Sequence, residues 1–301
     1  MIVCTYNPDI EVIVQCLQGI HRAMGRVNVE EVIIVDNNSS PALVDRPELR
    51  QFIEGPFRVV RETTQGLTPA RLRGIREAKG ELLVFVDDDN FIPEDFFLKG
   101  VEIARQNPLI GAFSGQVILE FEEKPEDWTK KYWGLLVYRE FDKDVWSNLP
   151  HLTITMPCGA GMYVRKEVAN HYLELNDSGK RKVQMDRTGK SLFSGGDNDL
   201  AACACDIGMG VGLFHQLLLK HYIPRQRLQL DYLLKLTTGI YASAVVFKSY
   251  RNEFPLPDTA KTRIANKIRK IFMNETERKF FSASLEGEEQ GRKILNGTFK
   301  I

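Results

Sequence analysis

Residues 82–90 read Leu82-Leu83-Val84-Phe85-Val86-Asp87-Asp88-Asp89-Asn90. An unbroken apolar run of this length predicts a strand, and it ends in three carboxylates. Carboxylates crowded at a strand terminus repel one another, so a fold that keeps them together needs a cation there or shifted ionisation. Mg²⁺ and Mn²⁺ prefer oxygen ligands and commonly bridge one or two carboxylates to substrate phosphates. The triplet is therefore a candidate site for a divalent metal holding a diphosphate. Taken alone, the triplet reads equally well as a solvated acidic turn.

Upstream, strand and helix signals alternate. Ile2 to Thr5 predicts a short strand. Asn7 as N-cap, Pro8 at the first helical position and acidic Asp9 and Glu11 then predict a helix start. Ile10, Ile13, Leu17, Ile20 and Met24 follow at helical spacing. Val32-Ile33-Ile34-Val35 is the continuous apolar run of a strand buried on both faces, and it stops at Asp36. A further strand is expected over Phe57 to Val60, and a helix from Thr68-Pro69 to a stop at Gly80. Pro93-Glu94-Asp95 opens the next helix. Such alternation predicts an α/β domain with a mostly parallel sheet flanked by helices, whose ligands bind beyond the carboxyl ends of the strands. Those ends carry Thr5-Tyr6-Asn7, Asp36-Asn37-Asn38 and the Asp triplet.

Thr5-Tyr6-Asn7-Pro8, Val35-Asp36-Asn37-Asn38-Ser39-Ser40, Gly66-Leu67-Thr68-Pro69-Ala70-Arg71 and Phe85-Val86-Asp87-Asp88-Asp89 occur in that order. In this ordered set the chain resembles the family-two inverting glycosyltransferases of the GT-A fold, over residues 1 to 240. The resemblance implies that Thr5, Tyr6 and Asp36 contact the nucleotide base, usually uracil, with Asn7 in the same cluster. It places Asp88 near the ribose, Asp87 and Asp89 on the metal, and Arg71 near the diphosphate. An arginine there offsets phosphate charge. The chain departs from the family at Leu72, where Asn often follows the arginine, and in having only five residues before Tyr6.

Ser194-Gly195-Gly196-Asp197-Asn198-Asp199 matches the family's base-bearing segment, with Gly196 in place of the frequent Glu. A carboxylate within hydrogen-bond reach of an acceptor hydroxyl can take its proton as that hydroxyl attacks the anomeric carbon. Asp197 is thus the expected catalytic base; by spacing alone it would serve as well as a helix N-cap. Gly195-Gly196 would let substrate approach the backbone. Cys158-Gly159-Ala160-Gly161-Met162 matches a Gly-rich turn lining the acceptor pocket, or is an ordinary tight turn. His221 falls where the family often has a further metal or diphosphate ligand, and neutral imidazole is an acceptable ligand for Mn²⁺. His215 is its rival.

The whole chain has 40 Lys+Arg and 40 Asp+Glu, so no global charge argues for nucleic acid. The balance is uneven: residues 220–301 hold 16 basic against 8 acidic side chains. A basic tail on an acidic body suggests contact with phosphorylated lipid or a membrane surface, or is a solvated helical face. Lys261 to Lys270, with Ile264, Ile268 and Ile271 at helical spacing, could lie on a membrane, pack on the catalytic domain or pair with a second subunit. The five cysteines are odd in number and form no CxxC pair, which suggests a reducing compartment and buried thiols. No signal peptide and no run of about 18 apolar residues is evident. A cytoplasmic protein is expected, with peripheral contact at a membrane left open.

The expected organisation is a GT-A catalytic domain over 1–222, divided into a nucleotide half (1–110) and an acceptor half (111–222), with a helical extension over 223–301. The segment 173–194 is expected to be a loop, and Phe254-Pro255-Leu256-Pro257 to interrupt the C-terminal helices. The function implied is transfer of a sugar from a nucleotide-diphosphate donor, a UDP-sugar, to a saccharide or lipid-linked saccharide hydroxyl. It would use Mn²⁺ or Mg²⁺, proceed with inversion, and serve cell-surface polysaccharide or glycolipid assembly, with homo-oligomerisation left open. Two alternatives are a sugar nucleotidyltransferase, whose Gly-rich, Arg-containing loop after the first strand is missing at Thr5 to Pro8, and a non-catalytic nucleotide-sugar-binding protein. An Asp-nucleophile phosphatase would need Thr where Phe91 stands.

Overall fold

The computed structural model describes residues 1–53, 55, 57–188, 192–252 and 259–297, which form two compact units. The first holds Met1–Lys182 and Gly196–Arg225; the second holds Val183–Gly195 and the residues from Gln226 onward.

In the first unit the order is β1 (Ile2–Thr5), α1 (Ile10–Met24), β2 (Val32–Asp36), α2 (Arg50–Ile53), β3 (Phe57–Arg61), α3 (Leu67–Glu77), β4 (Leu82–Phe85), β5 (Asn90–Phe91) and α4 (Phe96–Gln106). Then come β6 (Ile110–Phe121), β7 (Val145–Ser147), β8 (Met162–Arg165), α5 (Lys166–Asp177), α6 (Gly196–Asp206) and β9 (Gly210–Ile223). One sheet runs β3-β2-β1-β4-β8-β6-β9-β5, with β7 added beside β9. From β3 to β4 every pairing is parallel, as expected. Beyond β4 the sheet is mixed rather than mostly parallel: β8 runs antiparallel to both β4 and β6, while β6 and β9 are parallel. Helices α3, α5 and α6 pack in one contiguous series, and α1 packs with α4.

Local chemistry explains these elements. All of β1 and β2 is buried, which is why both are apolar without alternation. The N-cap of α1 is Asp9, not Asn7: its carboxylate accepts from the Glu11 and Val12 amides at 3.0 and 3.2 Å. Asn7 sits at φ 45° with its side chain turned to the Ser40 amide, so it serves a loop instead. Helix α3 begins at Leu67, one residue before Thr68, and ends at Glu77, short of Gly80. Helix α5 continues to Asp177, so the expected 173–194 loop starts five residues late.

Register decides what meets at the sheet's rim. Thr5 lies level with Asp36, and Asp36 with Arg61. The two-residue β5 pairs antiparallel with β9, opposing Asn90 to His221. The residue after the acidic triplet is thereby fixed beside a histidine 131 positions further along the chain.

The second unit contains α7 (Leu230–Ser249), α8 (Ala260–Ile271) and α9 (Glu275–Leu295). The Phe254–Pro257 break falls outside the described residues. Met185, Phe193, Ala242, Val246 and Ile294 form its core. The Tyr250 hydroxyl donates to the Val183 carbonyl and accepts from its amide, tying the 183–195 segment to α7. By length and composition α7 could cross a membrane, although no such stretch was expected. Its packing against α9, with Leu233, Leu236, Ala242 and Val246 buried, accounts for that composition as a core helix.

Candidate active site

The turn after β4 is organised by Asn90, a buried side chain that the sequence did not single out. Its Oδ1 accepts from the Asp87 amide at 3.4 Å and its Nδ2 donates to Asp89 Oδ1 at 3.1 Å. Thr5 Oγ1 donates to Asp88 Oδ2, linking the ends of β1 and β4. Two expected nucleotide contacts, Thr5 and Asp88, are thus brought together.

Asp36 is buried and already engaged: Oδ1 accepts from the Ser39 amide at 2.8 Å and Oδ2 from the Leu43 amide at 3.1 Å. It shapes the loop after β2, and its remaining lone pairs are what a base N–H could use. Asn37, also overlooked, does comparable work. Its amide donates to the Thr64 carbonyl at 2.7 Å, and its Oδ1 accepts from Gly66 N–H at 2.8 Å. Gly66, at φ 132°, starts α3, so Asn37 fixes the helix that carries Arg71. Tyr6 is exposed at the rim.

Asp87 lies within electrostatic reach of Asp89, Arg71, His221 and Asp197. Burial pushes its carboxyl above the ordinary value, and Asp89 and Asp197 push the same way. Arg71 and His221 pull it back. Five residues spread from position 71 to 221 therefore share one site.

His221 Nδ1 lies 3.1 Å from the Leu136 carbonyl, which can only accept, so that nitrogen carries the proton. Nε2 then faces Asp89 Oδ2 at 3.4 Å. An imidazole nitrogen and a carboxylate oxygen facing one another suit a metal ion beside them. A backbone carbonyl holding the far nitrogen is the usual support of a metal-ligating histidine. Among the described residues no three His, Cys, Asp or Glu side chains stand in position to hold a metal by themselves. The donor set fits an ion completed by substrate phosphates. The rival His215 instead bonds Asp144 at 2.7 Å on an exposed stretch of β9.

Asp197 stands in the first turn of α6. Oδ2 accepts from the Gly159 amide at 2.7 Å and Oδ1 from the Asn198 amide at 2.9 Å. A Cβ on Gly159 would lie 2.8 Å from Arg71 Nη2 and 3.3 Å from Asp197 Oδ2. The Gly-rich turn thus makes room for Arg71 and Asp197 rather than only for a sugar. Gly195 faces Ser243 of α7, a neighbour that also limits any role in admitting substrate. The nearby Asp199 is occupied by Arg181 through two bonds of 2.7 and 3.1 Å, a buried pair that braces α6. Cys16 donates its Sγ–H to the Asp87 carbonyl at 3.5 Å; burial first, then the acidic triplet, holds this thiol well above its usual range. All five cysteines are free thiols.

A parallel half-sheet rimmed by carboxylates, joined to a mixed half that delivers Asp197 and His221, defines a protein of the GT-A class. Residues 1–173 match the family described as Glycosyl transferase family 2, and the chain belongs to that family. The protein EpsH of Bacillus subtilis (strain 168) is 32% identical over 97 residues, 32% of this chain and 27% of that protein. An uncharacterized glycosyltransferase of Haemophilus influenzae is 42% identical over 82 residues, 27% of this chain and 26% of that protein. The matches thus span about a quarter of the length of these relatives. The crystal structure of residues 1–349 of S. aureus TarS aligns over 100% of this chain and 92% of that one, with 13% identity and a TM-score of 0.48.

Proposed function

We propose that the chain transfers a sugar from a nucleotide-diphosphate donor, a UDP-sugar, to a hydroxyl of a saccharide or lipid-linked saccharide, with inversion. The observation that carries this reading is the facing pair Asp89–His221, 3.4 Å apart, in a site that also gathers Asp87, Arg71 and Asp197. Two carboxylates and a histidine beside an arginine suit a divalent ion held jointly with a diphosphate. Asp87, Asp89 and His221 would hold Mn²⁺ or Mg²⁺ only together with the donor diphosphate, whose leaving charge the ion would offset.

The protein's own residues divide the remaining work. Thr5, Tyr6, Asn7 and Asp36 line the rim where the base would sit, with Asp88 toward the ribose. Arg71 offers its guanidinium to the diphosphate oxygens. Asp197, held by two backbone amides, takes the proton of the acceptor hydroxyl. Assembly of cell-surface polysaccharide or glycolipid at the cytoplasmic side of a membrane is the setting proposed for this reaction.

Calorimetric titration with UDP and with GDP, each in Mn²⁺ and in EDTA, tests the donor site. UDP binding that requires the metal and disappears in Asp89→Ala is expected. A folded protein that binds neither nucleotide in a metal-dependent way would overturn the assignment.

A further inference from the structure

Helix α8 is long enough to bury one face against a partner, yet none of its side chains is buried. It reads Ala260-Lys261-Thr262-Arg263-Ile264-Ala265-Asn266-Lys267-Ile268-Arg269-Lys270-Ile271 and contains no acidic residue. Ile264 is 59% exposed, Ile268 51%, Ile271 72% and the following Phe272 84%. At the helical turn angle the three isoleucines fall within an arc of about 60°, so they form one stripe. Lys261 and Lys267 flank that stripe on its two sides, while Thr262, Asn266 and Arg269 occupy the opposite face.

Twelve residues are marginal for an isolated helix in water, and tertiary packing of an apolar face normally supplies the difference. Here that face is outward. A groove in an ordinary protein partner would match the isoleucines but leave five Lys and Arg side chains to be neutralised within one helix length. An anionic bilayer answers both features together. It receives isoleucine and phenylalanine side chains below the headgroups, while lysines alongside reach back to the phosphates.

We infer that α8 is a membrane-surface helix, seated on anionic lipid through Ile264, Ile268, Ile271 and Phe272 and held by its lysines. The site chemistry proposed above is independent of this, since no residue of α8 takes part in it. A seat on the bilayer would confine the enzyme to the surface where an acyl-anchored acceptor is presented.

The test is flotation of the full chain with vesicles of phosphatidylglycerol and phosphatidylcholine mixed, and with phosphatidylcholine alone. Binding to the anionic vesicles that falls as salt rises is expected, with little on the neutral ones. Lys261→Gln with Lys267→Gln should weaken it about 25-fold, near fivefold for each basic residue. Ile264→Ser with Ile268→Ser should abolish it while leaving the melting temperature unchanged, because both side chains are already in water. Equal binding to neutral vesicles, or anionic binding untouched by both double variants, would overturn the inference. So would a wild-type dimer in sedimentation velocity that Ile268→Ser dissolves without any vesicle binding, for the stripe would then belong to a second copy.

Discussion

The backbone N–H of Gly159 donates to Asp197 Oδ2 at 2.7 Å, and the position of a Gly159 Cβ would fall 2.8 Å from Arg71 Nη2. One glycine thus spaces the proposed base and the proposed diphosphate arginine. Gly159→Ala forces one of them to move. Overpacking of this kind costs about 1–3 kcal/mol, and a displaced catalytic group costs on the order of 100-fold in rate. A lowered urea midpoint with donor turnover reduced to that extent is expected. Wild-type turnover would show that the spacing is not used.

Asp197→Asn keeps the shape and an acceptor oxygen for the Gly159 amide but cannot take a proton. Turnover, followed as UDP release with lipid-linked saccharides, should fall by about 10²–10⁴. Calorimetric UDP affinity should stay close to wild type, because Asp197 is assigned to the acceptor rather than the donor. A matched loss of both would make Asp197 a structural cap of α6.

His221→Ala removes the Nε2 that faces Asp89. Mn²⁺-dependent UDP binding should weaken at least tenfold, about what losing even an outer-shell partner of a metal site costs. Binding measured in EDTA should not change. Equal losses in both conditions would assign His221 to the fold, as its bond to the Leu136 carbonyl could also suggest.

Burial, and then the charge of Asp89, hold the Asp87 carboxyl above its ordinary value, so folding favours its protonated form. The stability tied to it is complete below the unfolded pKa and is lost as pH rises through the raised folded one. In EDTA, Asp87→Asn should therefore have a higher urea midpoint than wild type at neutral and alkaline pH. The two proteins should converge in acid. A lower midpoint for the variant at pH 8 would mean the anion is stabilised by its neighbours.

Asn37→Ala leaves the Gly66 amide and the Thr64 carbonyl without their side-chain partner. The expected cost is about 1–3 kcal/mol, the range for orphaned buried groups. UDP affinity should also fall, because α3 and Arg71 lose their anchor. Unchanged affinity in a destabilised variant would separate the loop from the donor site.

The parallel half of the sheet was legible in the sequence because continuous apolar runs such as Val32–Val35 form only where a strand is covered on both faces. The strand ends followed directly, and with them the placing of Asp36 and Asp87–Asp89 on one rim. The family resemblance gathered Asp197 and His221 as candidates, but no local pattern could: they come from a helix and a strand more than a hundred residues away. Their meeting depends on β5 pairing with β9 and on Gly159 fitting between Arg71 and Asp197. The mixed order beyond β4 was equally hidden, since strand direction is set by long-range pairing. Asn7 shows the same limit on a small scale: cap chemistry suited both it and Asp9, and the loop at Ser39–Ser40 decided between them. Residue type and spacing thus determined which groups the chain could offer to chemistry. Tertiary structure decided which of them face each other, because hydrogen-bond register and close packing act between segments that a linear sequence keeps apart.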